Sequence, residues 1–145
     1  MKIETLIVAD SKEFIPKYAH DSDACCDLRA NLLEEKEIYI SSGEIKKIDT
    51  GIKIKIPNGY EAQIRCRSGL ACKGLMVVNG IGTIDSNYIG KIMVILTNIS
   101  KKEILIKHLD KIAQMCIKPV WQFDFKEVKC LEETDRGESG FGSTG

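Results

Sequence analysis

Ile52-Lys-Ile-Lys-Ile-Pro-Asn-Gly59 decides the fold class. Successive side chains of a strand point to opposite faces, so three isoleucines alternating with two lysines make one buried face and one wet face. Pro57-Asn-Gly59 then supplies turn chemistry. Working outward, Trp121, Phe123 and Phe125 alternate in the same way, and Lys91-Ile-Met-Val-Ile-Leu-Thr97 is an apolar run short enough for a strand buried on both faces. Further strands are predicted over residues 3–8, 36–40, 60–66, 75–79, 103–107 and 111–118, punctuated by Ser41-Ser-Gly43, Ser86-Asn87 and Gly90. Many short strands at regular spacing imply an all-β sandwich, jelly roll or barrel. The one helical stretch expected is a turn or two around Ser68 to Lys73.

The 145 residues suffice for one domain with a real core. No internal repeat or linker divides them, but composition changes sharply after Cys130. Residues 1–130 are expected to form the body and residues 131–145 a mobile arm. Lys plus Arg and Asp plus Glu both total 21, so the chain has no net charge with which to hold a polyanion on a diffuse basic face. No basic stripe interleaved with aromatics marks a nucleic-acid groove. No run approaches the roughly 18 apolar residues of a membrane span, and Met1-Lys2-Ile3-Glu4 opens no signal peptide. The expectation is a soluble, cytoplasmic protein without nucleic-acid or membrane partners. The six cysteines include no C-x-x-C pair, so reduced thiols, buried or inert, are expected rather than a metal or disulfide framework.

Four segments carry polar residues that a β core does not need. Asp23-Ala-Cys-Cys-Asp-Leu-Arg-Ala30 places Asp27 between apolar neighbours. Arg65-Cys-Arg-Ser-Gly-Leu-Ala71 runs a strand into a Ser-Gly turn, where a helix start presents free N–H groups to an anion. Gly80-Ile-Gly-Thr-Ile-Asp-Ser-Asn-Tyr-Ile-Gly90 resembles a hairpin holding an acid and an aromatic three residues apart. The tail, Arg136-Gly-Glu-Ser-Gly-Phe-Gly-Ser-Thr-Gly145, has four glycines, an arginine, one ring and three hydroxyls, Ser143 and Thr144 among them. Such a segment cannot build a core but can wrap a polyphosphate: glycines admit close backbone approach, Arg136 offers a planar charged fork, and Phe141 can stack on a base.

In this order the segments resemble the homotrimeric deoxyuridine triphosphatase (dUTPase) family. The resemblance runs over essentially the whole chain, through Ala24-Cys-Cys-Asp-Leu-Arg-Ala30, Arg67-Ser-Gly-Leu-Ala-Cys-Lys73, Gly82-Thr-Ile-Asp-Ser-Asn-Tyr88, Lys111-Ile-Ala-Gln114 and the tail. It implies a jelly-roll-like β-sandwich, a homotrimer with shared active sites, and hydrolysis of dUTP to dUMP and pyrophosphate with Mg²⁺. By that resemblance Asp85 activates the water that attacks the α-phosphorus, a task suited to a carboxylate ionised at neutral pH. Asp27 would hold Mg²⁺ through water. Arg67, Ser68, Gly69 and Gln114 would meet the phosphates. Asn79 and the hairpin backbone would read uracil, and Tyr88 would pack under the deoxyribose. Arg136, Phe141, Gly142, Ser143 and Thr144 would close over the nucleotide.

The chain departs from the family pattern at five positions. Cys25 stands in place of a glycine, Cys66 of a proline, Ile89 of an arginine, Leu109 of a glycine and Lys111 of an arginine. None removes an assigned catalytic group. The related dCTP deaminases are a poor match, because Arg67 is followed by Ser-Gly and no glutamate lies between Arg67 and Tyr88. Some family members, viral ones among them, also act as regulatory binding proteins. A degenerate member of that kind would be expected to lose Asp85, Asp27 or the tail. A regulatory protein partner stays open beside catalysis, though no sequence feature marks one.

Overall fold

A computed structural model describes residues 3–140. Its strands are β1 (Leu6–Ala9), β2 (Cys26–Arg29), β3 (Glu37–Ile40), β4 (Ile45–Asp49), β5 (Ile52–Lys55), β6 (Tyr60–Arg65), β7 (Leu75–Val77), β8 (Gly82–Ile84), β9 (Met93–Asn98), β10 (Ile104–Lys107) and β11 (Lys111–Pro119). One short helix, α1 (Ser68–Ala71), falls where a turn or two was expected, and a 3-10 turn covers Lys12–Phe14. The strands form sheets in the orders β2-β11-β6-β8, β4-β9-β7, β1-β5 and β10-β3, with every pairing antiparallel. The architecture is all-β and jelly-roll-like. Among the described residues no helix is long and apolar enough to cross a membrane.

The sheets close on one core. Ile52, Ile54 and Ile56 are buried while Lys53 and Lys55 are exposed, as the alternation requires. Leu28, Ile40, Ile64, Leu75, Val94, Leu96 and Ile112 meet them from the other strands. Phe14 plugs one end, its ring 2.7 Å from where a Cβ on Gly51 would stand; with φ at +69°, that position suits only glycine. Among the described residues the two fully buried polar residues, Thr50 and Asn98, are hydrogen-bonded. The Thr50 hydroxyl donates to the Ile92 carbonyl at 2.7 Å, and Asn98 Nδ2 donates to the carbonyls of Ile40 at 2.8 Å and Lys102 at 2.7 Å.

Several elements differ from expectation, β2 among them, since no strand was expected over Cys26–Arg29. Trp121, Phe123 and Phe125 form no strand and are 83%, 78% and 92% exposed, pairing with no described strand of the chain. β4 was not anticipated, because Ile45-Lys-Lys-Ile48 breaks the two-residue period and only Ile48 is buried. β9 is fully buried on one face and half-buried on the other, so its continuous apolar run overstated its cover. All six cysteines are free; Cys26 and Cys116 are buried, Cys25 and Cys66 half-buried, and Cys72 and Cys130 exposed.

Candidate active site

β11 is the axis of the site. Gln114 pairs in register with Asp27 on β2 to one side and with Arg65 on β6 to the other. β6 then runs into Arg67 and α1, so three sequence segments meet on one sheet face. Arg67 Nε lies 2.8 Å from Asp27 Oδ1, and Lys111 Nζ lies 2.7 Å from Asp27 Oδ2. Arg67 Nη1 also donates to the Lys111 carbonyl at 3.2 Å, and Gln114 Nε2 donates to the Cys66 carbonyl at 2.7 Å. Burial pushes the Asp27 carboxyl up. The hydrogen bond from Lys111 and the charge of Arg67 outweigh it and hold the group below the ordinary carboxylate value.

These residues border a cavity of about 580 Å³ walled by Ala19, Asp23, Ala24, Cys25, Asp27, Arg67, Ser68, Gly69 and Gln114. Ser68 and Gly69 open α1, where the first N–H groups of a helix have no intrahelical acceptor. A wall with a guanidinium, a hydroxyl and free N–H groups suits a phosphate chain.

The expected hairpin residues gather elsewhere. Asp85 and Tyr88 line a second cavity of about 250 Å³ with Thr83, Ile84, Lys91 and Met93. Tyr88 Oη donates to the Lys91 carbonyl at 2.9 Å, and the ring folds over Gly90 so closely that a Cβ there would sit 2.5 Å from the hydroxyl. Asn79 does not line that cavity; its Nδ2 lies 3.5 Å from where a Cβ on Gly82, at the start of β8, would stand. Among the described residues none lines both cavities. Arg136 lies with neither group; its Nε donates to the Ser139 carbonyl at 3.0 Å within an exposed turn. Phe141, Gly142, Ser143 and Thr144 lie outside the described residues.

Sequence reasoning gave Lys111 no role, although its ammonium is one of two cations on Asp27. A base opening the segment that ends at Gln114 was the available signal. It also missed Lys91, which lies 2.6 Å from Asp49 Oδ2 and borders the Asp85 cavity. Two of the other departures, Cys66 and Leu109, have structural accounts. The Cys66 sulfur accepts the Val77 N–H at 3.1 Å, and Leu109 holds φ at 68° where glycine would be unstrained. That left-handed backbone costs about 1 kcal/mol, offset by packing of the Leu109 side chain against the core. Ile89 is exposed.

A profile of the dUTPase family matches residues 12–145. The chain belongs to the dUTPase family. A deoxyuridine 5'-triphosphate nucleotidohydrolase of Clostridium kluyveri is 48% identical over 145 residues, covering 99% of each chain. One from Rickettsia bellii is 50% identical over 132 residues, covering 90% of this chain and 87% of the relative. Among solved structures, the dUTPase of Staphylococcus bacteriophage 80alpha with dUpNHpp superposes with a TM-score of 0.82 at 26% identity over 99% of each chain. A mutant dUTPase of phage phi11 of S. aureus, described with a structural Mg(II) ion, has a TM-score of 0.78 at 23% identity, covering 90% of this chain and all of that one.

Among the described residues no three His, Cys, Asp or Glu side chains converge to cage a metal. Both Asp27 oxygens already accept from cations, yet each keeps a lone pair for a metal-bound water, and the adjoining cavity has room for one. Mg²⁺ commonly keeps several waters and leans on substrate phosphates. The donor set fits a hydrated ion held at second hand by Asp27, not a directly ligated one.

Proposed function

We propose that this protein is a cytoplasmic dUTP diphosphatase, releasing dUMP and pyrophosphate by attack of water on the α-phosphorus. The observation that carries the reading is the cavity framed by Asp27, Arg67, Ser68, Gly69 and Gln114, whose donors suit a phosphate chain, in a chain about half identical to dUTPase relatives. Six free cysteines suit a reducing compartment.

In this reading Arg67 and the N–H groups of Ser68 and Gly69 grip the phosphate chain and meet charge as it grows on the phosphoryl oxygens. Asp27 keeps Arg67 and Lys111 in place while they do so. Asp85 orients the attacking water and takes its proton; no covalent nucleophile is needed. Bound Mg²⁺ would neutralise phosphate charge, and Asp27 is the residue to hold its water shell. The backbone of the 80–90 hairpin, with Asn79 beside it, offers a donor and an acceptor that fit uracil and leave cytosine unpaired. Tyr88 excludes a 2′-hydroxyl. The arm, with Arg136, Phe141, Gly142, Ser143 and Thr144, closes over the nucleotide and sheds bulk water.

The two half-sites belong to different copies in a homotrimer. Exposed Trp121, Phe123 and Phe125 suit a segment that finds its apolar partner on a neighbouring chain. Pyrophosphate release from dUTP, with dCTP, dTTP and UTP alongside and with Mg²⁺ present or chelated, tests the reading. Fast release from dUTP alone, dependent on the metal, is expected. No release from folded trimer would refute it.

A further inference from the structure

Cys25 and Cys116 have no part in the chemistry above, yet the sheet puts them together. Cys26 pairs with Met115 and Asp27 with Gln114, so the next step of the ladder sets Cys25 opposite Cys116. Alternation then places Cys25 on the Asp27 face of its strand and Cys116 on the Gln114 face of β11. Opposed residues of an antiparallel pair have Cα atoms about 4.5–5.5 Å apart, within the roughly 4.4–6.8 Å that a disulfide spans. Cys25 is half-buried and lines the cavity, whereas Cys116 is buried behind it. Burial pushes the Cys25 thiol up and the adjoining Cys116 thiol adds to this, while Arg65 and Lys118 oppose them; one neighbourhood thus holds two sulfurs and two cations. Cys26 faces the core instead, its thiol donating to the Met115 carbonyl at 3.3 Å.

We propose that Cys25 and Cys116 form a reversible disulfide when the cell meets a peroxide, and that closing it disables the adjoining phosphate cavity. The Cys25 sulfur attacks the peroxide, breaking the O–O bond and leaving a sulfenic acid and one water. The Cys116 sulfur then displaces the hydroxyl, forming the S–S bond and releasing a second water. Two thiols are oxidised and one peroxide is reduced. Closure ties β2 to β11 two residue pairs from Asp27 and Gln114, with only Cys26 and Met115 between, and turns the Cys25 side chain away from the cavity wall it lines. Misplacing a phosphate-gripping set by a fraction of an ångström to an ångström costs about tenfold to a hundredfold in turnover. This gating rests on the dUTPase reading of the cavity; formation of the bond does not.

The test treats the full-length protein with hydrogen peroxide, then alkylates remaining thiols and maps peptides by mass. The expected result is a Cys25–Cys116 cross-linked peptide, two hydrogens lighter than its parts, that disappears with dithiothreitol and is missing from both Cys25→Ser and Cys116→Ala. Alkylatable Cys25 and Cys116 beside oxidised Cys72 and Cys130 would overturn the bond. Gating is read from dUTP turnover and from binding of inorganic triphosphate, both falling on oxidation and returning on reduction. A cross-link that changes neither overturns the gating. Reduced protein that neither turns over dUTP nor binds triphosphate refutes the dUTPase reading and the gating with it, while the mass map still decides the bond.

Discussion

Asp27 and Asp85 stand at opposite edges of one sheet. Asp27 lies on β2 and Asp85 directly follows β8, with β11 and β6 between them. Three inter-strand steps put them about 14 Å apart across the sheet. Register adds about 13 Å along it, since Asp27 is level with Arg65 of β6 whereas Asp85 follows Ile84, the partner of Ala62. The sheet itself therefore separates the Asp27 cavity from Asp85, and in the proposed reading a complete site takes the two ends from different copies.

Asp85→Asn keeps the shape of the side chain and removes its basicity. Turnover of dUTP should fall by about 10²–10⁴-fold, with affinity for the non-hydrolysed analogue dUpNHpp mostly retained. Steady-state pyrophosphate release and calorimetric titration measure the two separately. Undiminished turnover would remove Asp85 from the role of base.

How far the sequence spoke for the structure depended on whether a signal was local. Ile52, Ile54 and Ile56 announced their buried face because a strand's period is written in consecutive residues. β4 stayed hidden because Lys46 and Lys47 fall where an alternating pattern wants one apolar position. Trp121, Phe123 and Phe125 have a strand's period but no described partner within the chain, and periodicity says nothing about partners. In the site, Asp27 and Arg67 stood out as polar residues among apolar ones. The ion pair of Lys111 with Asp27 arises from register between β2 and β11, which residues 84 positions apart do not display.

Asp27 also sets an acid limit. Its folded pKa is held below the unfolded value, so the native state binds fewer protons than the unfolded chain across that interval. Its ion pairs thus stabilise the fold above the ordinary carboxylate range, and the contribution is lost as pH falls through the lowered value. Asp27→Asn should cost about 1 kcal/mol at neutral pH, since all three side chains keep some water contact. The gap from wild type should close on acidification. Urea midpoints measured across the pH range check this; a gap independent of pH would contradict it.

Gly90 makes room for Tyr88. A methyl group at Gly90 would stand 2.5 Å from the tyrosine hydroxyl, and the free end of that ring can move where backbone could not. Gly90→Ala should therefore push the ring aside, break its hydrogen bond to the Lys91 carbonyl and relax discrimination between dUTP and UTP. The melting temperature should change little, because Tyr88 is exposed. Tyr88→Ala should relax selectivity in the same direction. Unchanged dUTP-to-UTP ratios of kcat/KM in both variants would mean that the sugar is read elsewhere.

Separation of the half-sites gives a sharper test than either half alone. Arg67→Ala and Asp85→Asn should each be inactive, one lacking the phosphate grip and the other the base. If a site takes Arg67 from one chain and Asp85 from another, random co-assembly of the two variants restores intact pairs in about a quarter of the sites. Co-refolded mixtures should then recover about a quarter of wild-type turnover and sediment at three times the 16.2 kDa chain mass. Sites built within one chain would recover none, because every chain in the mixture carries a lesion. Recovery on co-refolding, with no recovery on mixing trimers already assembled, would place Arg67 and Asp85 of each site on different chains.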